Sequence, residues 1–388
     1  MRKLALQLTL LAVVAFPVLA QKPGRPPKRP KLAAPADSND ARAYLDFGIK
    51  TFEDDPGRAG DAFYWAAQLD PAEAEAYDGR RAALIISDRR WLRAYLSGSR
   101  RDREGIPEFR TLDSLQLRAL LLKPFLYRRF EFQLFQEYNH CAGIYRMECG
   151  LPTDDAVRAW VSYADGHFDD ALDEYASAMK SQREKAPYHV ERARIFGMRT
   201  QADSAIAEFD LALEEMRARD AKSLVYVYES KAAIEYSIGI LEEAQDRPSD
   251  AREAYGRALQ EDVAFYPAHL RLGLLALTAN DTASAISELD LATQLAGAEP
   301  YVRYTYGFTL AAAGHRDEAL KQLAKAVELD PYYPLPYLAI ARLEETRGDK
   351  SAAQAAYRAF LNHASRHDPQ RPDAEQRLVA SLSPTDRP

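Results

Sequence analysis

The chain has 388 residues, of which 47% are apolar and 28% are charged, and its formal net charge is −7. This length fits two or three ordinary domains or one long solenoid. Residues 1–36 contain seven of the 51 Lys and Arg and none of the 58 acidic residues. The rest of the chain therefore has 44 basic and 58 acidic side chains, a net charge of about −14. A body this acidic argues against a nucleic-acid-binding protein.

The N-terminus is typical of a secretory signal peptide. Arg2 and Lys3 precede an apolar run over residues 4–19, and small residues end at Ala20. Sixteen helical residues reach about 24 Å, short of the ~30 Å hydrocarbon core of a membrane. We therefore predict that residues 1–20 are cleaved on export and that the mature chain is periplasmic or secreted. A retained membrane anchor is the alternative.

Residues 21–36 are basic and rich in proline, with no apolar periodicity. Such a composition favours an extended tether over a packed element. Two roles are open for it. It is a solvated spacer, or it attracts the chain to anionic lipid or cell-wall polymer.

The sequence of residues 37–87 predicts a degenerate helical hairpin that ends at Asp70-Pro71, followed by one further helix. Residues 88–151 differ in pattern: an arginine-rich stretch is followed by strongly apolar sequence, which predicts a helical insertion broken near Pro124. Phe130, Phe132 and Leu134 alternate, so a short strand is the competing interpretation. We expect the aromatics to be core that seals one end of the protein, with a lipid-contacting or partner-contacting patch as the alternative.

The only two cysteines, Cys141 and Cys149, lie in this insertion. Their spacing is neither C-x-x-C nor C-x-x-C-H, which argues against thioredoxin-like chemistry and covalent haem. In an oxidising compartment they could form a disulfide, which requires a turn between them because one straight helix would hold them about 12 Å apart. Gly143 and Gly150 make such a turn possible. Two inert thiols are the alternative.

A ladder of six alanines organises the rest of the chain. Its members are Ala171, Ala205, Ala251, Ala285, Ala319 and Ala353, which lie 34, 46, 34, 34 and 34 residues apart. Four residues after each alanine comes a bulky apolar side chain: Tyr175, Phe209, Tyr255, Leu289, Leu323 and Tyr357. A period of 34 is that of a helix–turn–helix repeat. Chance does not produce this register six times in an alanine-rich bundle.

These residues resemble the tetratricopeptide repeat (TPR) family. Leu329-Asp330-Pro331 ends its unit as the family's closing motif does, and Gly239, Gly273 and Gly307 recur where helices approach closely. The resemblance implies an all-α, TPR-like right-handed superhelical solenoid, with six repeats over residues 152–367. Residues 368–388 are then a tail with a short helix and disorder.

Turns between the paired helices are predicted at Gly166, Asn280, Gly314 and Gly348, because glycine and asparagine tolerate the left-handed conformation that ends a helix. N-caps of the second helices are predicted at a common register. These are Asp169, Asp203, Ser249 and Asp317.

No catalytic set can be assigned. The sequence has no P-loop, dinucleotide-binding glycine pattern, H-E-x-x-H or G-x-S-x-G. His363 and His367 have the spacing of metal ligands but no evident third partner. We therefore predict a non-enzymatic protein without a cofactor or a metal.

The resemblance does imply a binding surface, because first helices line the concave face in this family. Its register gives an apolar groove formed by Tyr236, Ile240, Leu270, Leu274, Tyr301, Tyr304, Phe308 and Leu338, with Leu277 and Leu335 beside them. Arg271 and Arg342 are the only cations at the positions that clamp a carboxylate, so carboxylate clamping is not expected. The competing interpretation is that a tightly wound superhelix, or the chain's own tail, covers these residues.

The sequence thus predicts an exported scaffold that holds a protein or peptide partner in this groove, such as an envelope or secretion assembly factor. A structural envelope protein, attached to anionic lipid or cell-wall polymer by residues 21–36, is the alternative. No nucleic-acid partner is expected.

Overall fold

The computed structural model describes residues 26–88, 90–92, 109–130, 134, 155–220 and 230–381. The predicted signal peptide and both cysteines lie outside these ranges. The helices are, in chain order, α1 (Ala41–Thr51), α2 (Pro56–Leu69), α3 (Ala74–Ser87), α4 (Phe109–Leu122), α5 (Asp155–Ala164), α6 (Phe168–Ser181), α7 (Ala186–Met198), α8 (Ala202–Asp220), α9 (Lys231–Ala244), α10 (Pro248–Glu261), α11 (Tyr266–Thr278), α12 (Thr282–Leu295), α13 (Pro300–Ala312), α14 (Arg316–Leu329), α15 (Pro334–Arg347), α16 (Lys350–His363) and α17 (Arg371–Ser381). None of these helices has the length and apolar character that a membrane span requires.

Most helices pair with their neighbour in sequence. The pairs α1/α2, α5/α6, α7/α8, α9/α10, α11/α12, α13/α14 and α15/α16 form hairpins. From α5/α6 onward, each hairpin packs on the next less extensively than its own two helices pack together, whereas α1/α2 packs on α3 and α3 packs on α4. The described residues contain no β-strand. The predicted fold class, an all-α solenoid of TPR-like hairpins, is therefore confirmed. The last helix, α17, packs on α16 as a terminal cap.

The alanine ladder packs the two helices of each hairpin together. All six alanines and their six bulky partners are buried. A Cβ added at Gly239 would lie 2.4 Å from the ring of Tyr255, and one at Gly273 would lie 2.7 Å from Cγ of Leu289. The first helix therefore supplies a glycine where the second supplies its bulky side chain.

Left-handed residues connect the helices within six hairpins. Gly166, Asn280, Gly314 and Gly348 have positive φ, as the sequence predicts. Thr200 and Asp246 have φ of 60° and 58° at the equivalent turns. Thr200 and Asp246 gave no such signal in the sequence.

The predicted N-caps are wrong by about two residues. Asp169, Asp203 and Asp317 lie inside the first turn of their helices, and Ser249 follows Pro248 in the first turn of α10. A carboxylate in a first turn still favours the helix, because it lies near the positive end of the helix dipole. The three aspartates therefore stabilise the helix start through charge instead of through a capping hydrogen bond.

The insertion is helical where it is described. Helix α4 ends two residues before Pro124, and residues 130 and 134 are also helical, so the strand interpretation is wrong for them. Phe130 is buried against Phe52 and Phe63, with ring centroids 4.7 and 5.3 Å away. Phe130 therefore belongs to the core of α1–α4, which we call the N-terminal unit, whereas Phe125 and Tyr127 pack against the cores of the first repeats.

The two ends of the chain meet, which closes the solenoid on itself. Asn39 donates from Nδ2 to the carbonyl of Asn362 at 2.7 Å, and Ser365 donates from Oγ to the Asp37 carboxylate at 3.1 Å. Trp65 packs edge-on against Tyr332, with ring centroids 4.8 Å apart. We call this contact between the N-terminal unit and the last repeats the seam. Residues 26–36, expected to extend away as a tether, lie along it.

Candidate concave binding site

Helix α4 lies against the concave face of the repeats. The hydroxyl of Tyr236 in α9 donates to the carbonyl of Leu121 at 2.9 Å, and Arg118 forms an ion pair with Glu299 at the start of α13. Since the last carbonyls of a helix have no partner within it, the Tyr236 hydroxyl satisfies one of them. The N-terminal unit therefore occupies part of the predicted groove.

Charge in this part of the groove is balanced in pairs. Burial alone would lower the pKa of Arg118, but the Glu299 carboxylate outweighs it and raises that pKa. Arg271 binds Glu243 through two hydrogen bonds, and the same carboxylate raises its pKa against the effect of burial. The second cation of the clamp register, Arg342, pairs with Asp373 at 3.2 Å. Neither clamp-register arginine is free to bind a ligand carboxylate.

A small cavity remains between α4 and the repeats. Its volume is about 170 Å³. Its walls include Arg118, Leu121, Tyr236, Tyr266, Leu270, Leu274, Glu299 and Tyr301. Burial raises the pKa of Tyr266 to about 12, so its phenol is a neutral hydrogen-bonding group. A typical small-molecule pocket is about 300–1,000 Å³, so this cavity has room for one large side chain and not for a helix.

The structure divides the predicted groove residues into covered and open sets. Tyr236, Leu270 and Leu338 are buried, the first two beside α4 and the third in the core formed with α16 and α17. Ile240 and Leu274 are partly buried. The remaining residues are Phe308, which is exposed, and Tyr301 and Tyr304, which are partly buried on the same helix; we call these three the open set.

The open set forms one stripe on α13, which we call the aromatic shelf. Tyr301, Tyr304 and Phe308 are spaced i, i+3 and i+7, so they share one helix face. Tyr301 and Tyr304 are half-buried, and Phe308 is 48% exposed. The ring of Tyr304 is 6.2 Å from that of Phe308 and 5.4 Å from that of the buried Tyr333. These contacts hold the shelf rigid before any partner binds.

One residue near this surface was missed at the sequence level. Leu117 of α4 is 54% exposed and lies one turn before Leu121, on the same helix face. It therefore shares a helix face with Leu121, which lines the cavity. Nothing in the periodicity of the repeats indicates that α4 would contribute to their concave face.

The described residues contain no group of three His, Cys, Asp or Glu that could hold a metal ion. His363 stacks on Tyr337 with centroids 5.4 Å apart. Burial lowers the pKa of its imidazole. This histidine packs between aromatic rings at the seam.

The fold and the shelf together define an all-α repeat solenoid with an aromatic surface suited to binding. No protein-family model matches the sequence, and no curated protein is similar enough to match it. Solved structures do match. YrrB, a TPR protein described as having an unusual peptide-binding site, is 20% identical, with 53% of this chain and 98% of its own covered and a TM-score of 0.42.

Two other structures show similar values. MamA from Desulfovibrio magneticus RS-1 is 15% identical over 46% of this chain and 94% of its own, with a TM-score of 0.40. The C-terminal part of a TPR repeat-containing protein from Cytophaga hutchinsonii is 16% identical over 58% of this chain and 83% of its own, with a TM-score of 0.46. These similarities assign no partner to this chain.

The hydroxyl of Tyr236 provides a test of how α4 is held. Replacing Tyr236 with phenylalanine is expected to lower the free energy of unfolding by about 1 kcal/mol, because the Leu121 carbonyl loses its hydrogen-bond donor. Hydrogen exchange of the α4 amides should become faster, while α16 amides serve as the internal control. Unchanged exchange in α4 would show that this hydrogen bond does not hold the helix.

Proposed function

We propose that this protein is a non-enzymatic scaffold that binds a protein or peptide partner on the aromatic shelf and the adjoining face of α4. The exposure of Phe308 beside two half-buried tyrosines carries this proposal. Aromatic side chains dominate the energy of many protein interfaces because they bury large areas at little cost in entropy.

The covered half of the concave face limits what the shelf accepts. Helix α4 occupies the surface beside Tyr236 and Leu270, and the remaining cavity of about 170 Å³ fits a single side chain. We infer that the partner presents a short apolar segment. Its anchor side chain enters between α4 and α13, and neighbouring residues pack on Phe308 and Leu117.

We further propose that binding takes place after export. The basic start, apolar run and small residues of positions 1–20 support this location. An envelope or secretion assembly factor is the role that fits a scaffold exported in this way.

The double variant Tyr304→Ala, Phe308→Ala tests the shelf. Partner capture is expected to fall at least tenfold, since hot-spot truncations each cost more than about 1 kcal/mol. The matched control is Leu291→Ala, Leu295→Ala, which removes two residues of α12 that are 40% and 45% exposed. Both variants should keep the helical circular dichroism of the wild type.

The proposal fails if the shelf variant captures the partner as well as the wild type does. It also fails if the α12 control weakens capture equally, because the binding surface would then not be specific to the concave side.

A further inference from the structure

The seam holds a second candidate binding site, distinct from the aromatic shelf. We propose that it is a peptide site for an extended, basic, proline-containing segment, and that residues 26–36 of the same chain fill it here. A partner protein with such a segment would compete for the same contacts. This inference does not depend on the function proposed for the shelf.

The first contact of the site is a hydrogen bond from an indole. Nε1 of Trp65, in α2, donates to the carbonyl of Pro27 at 3.1 Å. Proline-rich chains make no internal hydrogen bonds, so their carbonyls remain available to donors on another surface. Grooves lined by aromatic residues recognise such chains in this way.

The second contact selects arginine. The guanidinium of Arg29 lies 4.7 Å from the ring centroid of Trp65 and 5.3 Å from that of Tyr44. A flat cation stacks on aromatic faces in a way that an ammonium group does not reproduce. The neighbouring Lys28 and Lys31 are exposed, so the structure distinguishes one position of the basic segment from the others.

The remaining contacts reach both sides of the seam. Leu32 packs against the core of the N-terminal unit, and Arg366, beyond α16, donates from Nη2 to the carbonyl of Pro35 at 2.8 Å. Tyr332 completes the aromatic wall beside Trp65. The site therefore contacts positions 27, 29, 32 and 35 of the segment. The N-terminal unit and the last repeats both contribute to it.

Competition in trans is physically reasonable for two reasons. The segment is joined to the seam by the chain itself, so its advantage over a free peptide is its high effective concentration. A substitution that weakens the cis contact lowers its occupancy and lets a free peptide compete. The body of the chain is acidic by about 14 charges, from 44 basic and 58 acidic residues, and this attracts a basic peptide.

The test measures binding of a labelled peptide with the sequence of residues 26–36 to the full chain by fluorescence anisotropy. Three chains are compared: wild type, Arg29→Ala and Lys28→Ala. We expect the Arg29→Ala chain to bind the peptide at least tenfold more tightly than the other two, because only this substitution weakens the cis occupant. Equal binding by all three chains, or binding by none, would overturn the proposal.

Peptide variants separate stacking from simple charge and do not depend on the folding of a mutant. On the Arg29→Ala chain, a peptide with alanine in place of Arg29 should bind at least tenfold more weakly than one with alanine in place of Lys28, although both lose one charge. Equal weakening would mean non-specific attraction to an acidic protein. A wild-type dimer that Arg29→Ala dissociates would assign the segment to a second copy of the chain and also overturn the proposal.

Discussion

The Asp330→Asn variant is expected to be more stable than the wild type at pH 7 by about 2–4 kcal/mol and nearly equal to it at pH 4. Burial raises the pKa of the Asp330 carboxyl to about 7, and the N–H of Tyr332, which donates to it at 3.0 Å, offsets this only in part. Asparagine keeps the acceptor oxygen for that N–H and carries no charge.

The sign of this pH dependence follows from proton binding. The folded chain holds the Asp330 proton up to about pH 7, whereas the unfolded chain releases it near the ordinary value of 3.8. Stability from this group is therefore fully present below about pH 4 and is lost as the pH rises to about 7. Urea unfolding at intervals of pH, for both chains, measures the difference directly.

A matched control lies at another Asp-Pro turn, Asp70-Pro71. Asp70 accepts the N–H of Ala72 at 3.0 Å, as Asp330 accepts that of Tyr332, but Asp70 is exposed. Asp70→Asn removes an exposed charge and should therefore change stability much less than Asp330→Asn does at pH 7. If the difference in unfolding free energy between the wild type and Asp330→Asn does not depend on pH, Asp330 is not buried in solution.

Replacing Gly239 with valine is expected to destabilise the chain by about 1–3 kcal/mol or to prevent folding. A Cβ at this position would lie 2.4 Å from the ring of Tyr255, and both helices of the hairpin would have to separate to admit it. Thermal unfolding followed by circular dichroism measures the loss.

The control for this variant is Gly256→Ala in α10. A Cβ at Gly256 meets nothing within 4 Å, so alanine should stabilise the helix by about 0.5–1 kcal/mol. If both substitutions shift the midpoint of thermal unfolding in the same direction, Gly239 is not required for the close approach of the two helices.

The repeat part of the fold was predictable because its signals are local. The alanine at Ala251, the bulky residue at Tyr255 and the glycine at Gly239 lie within one hairpin, and the pattern recurs with a period of 34 residues. Turn residues with positive φ were predicted only where they are glycine or asparagine. Thr200 and Asp246 adopt the same conformation because the hairpins impose it, and their identity does not reveal it.

The closure of the solenoid was not predictable, because its contacts are single and distant. Arg118 and Glu299 are 181 residues apart, and Asn39 and Asn362 are 323 apart. No periodicity links such positions. For the same reason the sequence did not indicate that α4 covers Tyr236, and the division into covered and open residues required the structure.

The most direct test of the binding surface is site-specific photocrosslinking in cells, with a photoreactive phenylalanine analogue at position 308 and, as the control, at position 291. Phe308 is 48% exposed on the concave shelf, and Leu291 is 40% exposed on α12. We predict that mass spectrometry identifies a specific crosslinked protein from position 308 and not from position 291. The same partner at both positions, or a partner only at position 291, would contradict the assignment of the aromatic shelf.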